Sequence, residues 1–127
     1  MMAYDDNNVF AKILRGEIPC KKVYENEHAL AFHDINPQAP IHVLVIPKGR
    51  YVGMDDFALN ATPTEQAALV RAIGETARVL GVDKGGYRTL SNFGRDGHQE
   101  VPHLHFHIFG GRRLGRMLEG GRLPHTA

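Results

Sequence analysis

The sequence predicts an α+β fold: an antiparallel sheet with a short N-terminal helix and one long helix. Three observations carry this. Strand-like segments at 22–25 and 29–33 are joined by a two- to three-residue turn, which antiparallel neighbours allow and parallel neighbours do not. The segment 62–80 has helical periodicity between a start and a stop signal. From Pro102 to Gly111 histidine alternates with a large apolar residue, the period of a strand with two unlike faces.

Taken in order, residues 1–7 are polar and read as a loose tail. Asn8 caps a short helix, Val9 to Arg15, whose apolar face is Val9, Phe10, Ile13 and Leu14; Gly16 stops it. Strands are expected at Lys22 to Glu25 and Ala29 to His33, with Asn26-Glu27 turning between them. Asp34 to Pro40 is a loop whose two prolines fix its shape. His42 to Pro47 is rich in β-branched residues and belongs in the middle of the sheet. Met54 to Ala58 has the length of a single helical turn. Thr62, Pro63 and Glu65 open the long helix with a cap, a first-turn proline and a capping-box glutamate. Leu69, Val70, Ile73, Ala77 and Leu80 form its expected buried stripe, and Gly81 ends it. Tyr87 to Asn92 is a further strand, Phe93 to Gln99 a loop, and the histidine segment the last strand. An irregular basic tail follows, with Arg112, Arg113, Arg116 and Arg122. The reading is one domain over 1–127, with a core of about 8–113 between tails at 1–7 and 114–127.

Composition narrows the class. The 127 residues are 43% apolar and 23% charged, enough to build one core. A net charge of +1 gives no electrostatic case for nucleic acid or a membrane as partner. Cys20 is the sole cysteine, so no disulfide framework or paired-cysteine zinc site exists. The N-terminal residues lack a basic start and apolar run, and the longest apolar run, Val43 to Ile46, is far too short to span a bilayer. A cytoplasmic protein is expected.

The chemistry centres on His103, His105 and His107. On a strand they share one face, with Leu104, Phe106 and Ile108 on the other. Each imidazole brings a donor and an acceptor that need partners, so a row of them points to phosphate chemistry or to a metal. A neutral imidazole attacks phosphorus well, and the adduct is labile to water. His105, flanked by the other two, is the candidate nucleophile; His42 reaches the same place if its strand is the neighbour. The rival is zinc held by His103 and His105 with His42, or in its place His107, as third ligand, and with Asp34, Asp96 and Glu100 as candidate carboxylates. Asp34, fixed before a rigid loop, suits a ribose diol but equally a loop cap. The Asn92 to Gln99 loop offers N–H groups to a phosphate. Val9, Phe10, Ile13, Ile18, Phe32 and Leu44 read more simply as core than as a base pocket, with Phe32 and Leu44 kept as candidates for the nucleotide side. His28, His33 and His125 carry no spacing signal.

The run His103-Leu104-His105-Phe106-His107-Ile108-Phe109 resembles the signature of the histidine triad family. Phe32 to Lys48 looks like the second block of that family's nucleotide-binding phosphoramidase branch, and Phe10 to Pro19 like its first helix; the likeness covers about 8–113. The resemblance implies a five-stranded sheet continued across a homodimer into ten strands. It implies binding of purine nucleoside monophosphates, and hydrolysis of their phosphoramidates through a nucleotidyl-histidine intermediate without metal or cofactor. It assigns His105 as nucleophile, His103 and His107 to the phosphate and its protons, and His42 to the same cluster. Asp34 matches the ribose acid, Ile35 its apolar neighbour, Asn92 a phosphate-side amide, and His98, Gln99 and Glu100 the phosphate-contacting segment. A histidine at the third position favours a hydrolase over a transferase. A nucleotide-binding interaction module with incidental turnover is the alternative.

Two departures stand out. Glu100 occupies a position where better-known members carry serine, and an ionised glutamate repels a phosphate oxygen. The tail after Gly111 is arginine-rich and has no tryptophan.

Overall fold

The computed structural model describes residues 3–118. Its elements are α1 (Val9–Leu14), β1 (Lys22–Glu25), β2 (Ala29–His33), β3 (Ile41–Pro47), α2 (Met54–Asn60), α3 (Pro63–Leu80), α4 (Val82–Gly85), β4 (Arg88–Leu90) and β5 (Phe106–Gly110). The five strands form one antiparallel sheet in the order β1-β2-β3-β5-β4. The fold class read from the sequence is the one observed. His125, Arg122 and the end of the basic tail lie outside the described residues.

Alternation along β2 and β3 builds two cores. Ala29, Ala31, Val43 and Val45 face α3 and pack with its Leu69, Ala72 and Ala77 and with Leu104 and Ile108. The small alanines let the helix approach the sheet. Leu30, Phe32, Leu44 and Ile46 point to the opposite face, where Phe10 of α1 covers them. Both faces of β2 and β3 are therefore closed to water, which explains near-continuous apolar runs in strands of an antiparallel sheet.

The caps behave as read. Asn8 Oδ1 accepts from Ala11 N at 2.9 Å, and Thr62 and Glu65 form the reciprocal capping box. Gly81 closes α3 in a left-handed conformation, φ 76°.

Four expectations need correction. The last strand begins at Phe106, not near Pro102, because 101–103 make a bend that brings the Leu104 N–H to the Tyr51 carbonyl at 2.7 Å. Val70 is 70% exposed; Leu69, Ala72, Ile73, Thr76 and Ala77 hold the buried stripe, and Val70 sits one residue, about 100°, off it. The strand expected over Tyr87 to Asn92 is limited to Arg88–Leu90. The N-terminal residues described are docked: the Arg50 guanidinium clamps the Asp6 carboxylate with two contacts of 2.9 Å. Among the described residues no helix is long and apolar enough to cross a membrane.

Candidate active site

The site lies on the α1 face of the sheet, where β3 and β5 are neighbours. Leu44 stands directly opposite His107 and His42 opposite Phe109, so His42, on the same side of β3 as Leu44, meets His107 diagonally. His42 and His105 are buried and His107 is half-buried; His103 is fully enclosed.

Backbone groups assign the tautomers. His105 Nδ1 lies 2.7 Å from the His103 carbonyl oxygen, which only accepts, so Nδ1 carries the proton and Nε2 is a bare lone pair. Ser91 Oγ donates to the His105 carbonyl at 2.7 Å and fixes the chain there. Gln38 N donates to His42 Nδ1 at 3.1 Å, which puts the His42 proton on Nε2. That Nε2–H points at His107 Nδ1, 2.9 Å away, leaving His107 with its proton on Nε2. The cluster thus presents an unprotonated nitrogen on His105 beside a chain of donors through His42 and His107.

Burial keeps the rings neutral. It pushes His107 down to about 4, helped by His105 and His42 nearby, while Asp34 opposes. It pushes His42 and His105 down as well, with Asp34 raising both and Glu100 raising His105. The aromatic frame is tight: Phe10 meets the His105 ring edge-to-face at 4.9 Å, and Phe109 stacks on His107 at 5.4 Å.

Asp34 follows β2. Its Oδ2 lies 3.5 Å from His42 Nε2, and its Oδ1 accepts from the Asn36 N–H at 2.8 Å. A cavity of about 210 Å³ opens beside it. Phe10, Phe32 and Leu44 wall it, and Asp34, Ile35 and Glu100 stand at its rim. Ile35 is 91% exposed, an apolar side chain offered to whatever enters. Val9, Phe10, Ile13, Ile18, Phe32 and Leu44, read as core, all line this cavity; Phe10, Ile13, Phe32 and Leu44 belong to the apolar cluster as well, whereas Val9 is exposed and neither it nor Ile18 is part of that core. Sequence spacing alone could not place α1 here, because what brings it over β3 is the packing of Phe10 on Phe32 and Leu44.

The loop after β4 is braced from within. Asn92 Nδ2 donates to the Gly97 carbonyl at 2.7 Å. Gln99 Nε2 donates to the Val52 and Val101 carbonyls, and its Oε1 accepts from Gly94 N. Gln99 therefore spends both amide hydrogens on backbone, and its side chain holds the loop rather than offering donors to a phosphate. His98, at φ 59°, pairs with Glu100 at 3.2 Å, both exposed. Gly97 has no room for a side chain, since a Cβ would strike the Phe93 backbone.

The zinc set read from the sequence, His42, His103 and His105, is not assembled in the fold. His103 offers no ring nitrogen: Nε2 donates to the Pro47 carbonyl at 2.8 Å and Nδ1 meets the Tyr4 hydroxyl at 2.5 Å. Asp34, His42 and His107 do bring one ligand atom each within 4.8 Å of one another. The Gln38 N–H, however, holds the His42 proton on Nε2, the atom that would have to bind a cation. The residues missed by sequence reasoning are Tyr4, the Gln38 N–H and the Pro47 carbonyl. Backbone groups carry no residue signal, and Tyr4 acts across 99 positions.

The HIT domain model matches residues 15–114. The chain is 70% identical over 118 residues to an uncharacterized 13.2 kDa HIT-like protein of Azospirillum brasilense, covering 93% of this chain and 97% of that one. It is 40% identical over 116 residues to a purine nucleoside phosphoramidase of Escherichia coli, covering 89% and 94%. Among solved structures, a HIT family hydrolase of Legionella pneumophila aligns with a TM-score of 0.74 at 38% identity, covering 86% of this chain and 96% of that chain.

Proposed function

The chain belongs to the HIT domain family, and on that premise we propose that it is a hydrolase of purine nucleoside 5′-phosphoramidates or related nucleoside monophosphate conjugates, acting through a nucleotide carried on His105. The observation that carries this reading is the tautomer of His105. Its Nδ1–H is tied to the His103 carbonyl, so the bare Nε2 faces the cluster with no proton to remove before attack.

The chemistry then runs in two displacements. His105 Nε2 attacks phosphorus, the P–N bond breaks, and the amine leaves with a proton from the protonated His42–His107 pair. The negative phosphate favours that protonated form on binding. The imidazolium-like adduct is held by its Nδ1–H bond to the His103 carbonyl. Water then attacks phosphorus, its proton returns to the His42–His107 pair, and His105 departs neutral. The base sits against Phe10, Ile35, Phe32 and Leu44, and the ribose hydroxyls donate to Asp34. Asn92, His98, Gln99 and Glu100 form the loop on the phosphate side, with Gln99 as its brace. No metal or cofactor takes part.

The working unit in this reading is a homodimer joined through β4. Of the two sheet edges, β1 carries a register irregularity at Lys22/Tyr24 and the ion pair of Lys22 with Glu25, features that block strand addition. β4 lies beside a hollow of about 770 Å³ lined by Ile41, Leu80, Val82 and Tyr87 together with Arg88, Arg112 and Arg113, a mixed apolar and basic surface that a second copy would cover.

The test uses an adenosine phosphoramidate with a fluorescent amine. Wild-type protein is expected to release the amine and, when quenched early, to carry a nucleotide on His105. His105→Ala should lose about a thousandfold or more in kcat. Tight binding of adenosine monophosphate with no turnover would replace this reading with a nucleotide-binding interaction module.

A further inference from the structure

His103, the first histidine of the run, has neither ring nitrogen free, and one of its partners comes from the far end of the chain. Its Nε2 lies 2.8 Å from the Pro47 carbonyl, an acceptor, so Nε2 carries the proton. Its Nδ1 must then accept, and the Tyr4 hydroxyl, 2.5 Å away, donates to it. The Tyr4 ring stands edge-on to the His103 ring at 5.5 Å. Behind it the Arg50 guanidinium lies 5.0 Å over the Tyr4 ring while clamping Asp6, two residues further on. Arg15 adds a bond to the Asp6 carbonyl at 2.8 Å. The N-terminal segment is thereby strapped across the back of the histidine cluster. It also lies before residue 15, where the match to the family model begins.

We propose that Tyr4 is a positioning residue for the His105 nucleophile, acting through His103. The same residue whose ring Tyr4 holds supplies the carbonyl that accepts the His105 Nδ1–H. A His103 ring fixed between Tyr4 and Pro47 fixes the peptide at 103, and that peptide decides both the tautomer and the aim of His105. Tyr4 also seals His103 from water. His103 is held down to about 4 by burial, with its Pro47 bond opposing and His105 adding to the depression. Removing the hydroxyl donor leaves Nδ1 with no partner in a buried place and frees the ring to turn. The groups facing His103 are Tyr4, His105, Phe10 and the Pro47 carbonyl, with Arg50 and Asp6 behind Tyr4.

This inference rests on the His105 reading above, and its test separates the two. The full-length protein is labelled with nitrogen-15 at histidine. In wild type, His103 is expected as the Nε2–H tautomer with a hydrogen-bonded Nδ1, neutral down to about pH 5. A wild-type His103 protonated on Nδ1, or titrating near its ordinary 6.5, overturns the proposal without any variant. Tyr4→Phe keeps the ring and its packing. It should shift the His103 Nδ1 resonance towards that of a free imine, move the His105 Nδ1 signal, and lower kcat about three- to tenfold with KM for the nucleotide little changed. Unmoved ring signals overturn the proposal whatever the kinetics do. Shifted signals with wild-type kcat overturn it too. If the wild type shows no phosphoramidase turnover at all, the His105 reading fails, while the nitrogen signals still decide whether Tyr4 orders His103 and His105.

Discussion

His105 and Glu100 show how much one side chain's surroundings decide here. His105 is lowered by burial and held up in part by the His103 carbonyl, Asp34 and Glu100. Glu100→Gln removes one of the two carboxylates that favour its protonated form. The acid limb of the pH–rate profile should therefore move to lower pH, and KM for an anionic nucleotide should fall a few-fold as repulsion is relieved. An acid limb that stays put would show that Glu100 points away from the phosphate. Stability answers to pH through the same histidines. His103 titrates at about 4 in the fold and near 6.5 when free. Between those values the unfolded chain binds more protons, so stability is full above about pH 6.5 and falls as the pH drops towards 4. His103 alone contributes a loss on the order of 2–3 kcal/mol by pH 4; His42, His105 and His107 act in the same direction. Urea midpoints measured at falling pH check this, and a midpoint flat from pH 7 to about 4.5 would contradict neutral burial of these rings.

At the scale of elements, two helix caps of similar strength have different consequences. Thr62→Ala breaks the capping box of α3, which covers the face of the sheet away from the histidines. It should cost about 1 kcal/mol of stability and leave kcat/KM near wild type. Asn8→Ala removes the cap of α1, whose Phe10 touches His105 and walls the cavity. A similar loss of stability, about 1 kcal/mol, should come with a raised KM. Thermal melts beside steady-state kinetics separate the two, and equal kinetic effects from both caps would refute the division of labour between the two faces. The late start of β5 fits the same picture. The bend at 101–103 turns His103 inward to Pro47 and Tyr4, whereas a regular strand would have presented it beside His105 and His107.

For the molecule as a whole, the edges of the sheet set the expectation. β1 is guarded by its irregular register and its charges, while β4 lies beside a hollow of mixed apolar and basic lining. Light scattering coupled to size exclusion should find twice the chain mass of 14.1 kDa at micromolar concentration. A monomer at every concentration would remove β4 pairing and the ten-stranded sheet with it.

What the sequence by itself determined is whatever depends on neighbours along the chain. The alternation of strands, the capping signals at Asn8 and Thr62, the stop at Gly81 and the shared face of His105 and His107 all follow from backbone periodicity and local hydrogen bonding. The α+β class and the family follow with them. The tertiary structure alone decided what depends on contacts between distant segments. Val70 left the stripe because the 3.6-residue turn, not apolarity, selects what faces the sheet. Phe10 and Ile13 became the wall of a cavity because α1 docks on β2 and β3. The proton positions on His42, His103 and His105 were settled by the Gln38 N–H, the Pro47 carbonyl, the His103 carbonyl and the Tyr4 hydroxyl. Most of these are backbone groups that every residue possesses, so no residue type announces them. Only folding, by fixing which carbonyl faces which ring, turns a row of histidines into a set with one bare ring nitrogen, a hydrogen-bonded pair and a buried support.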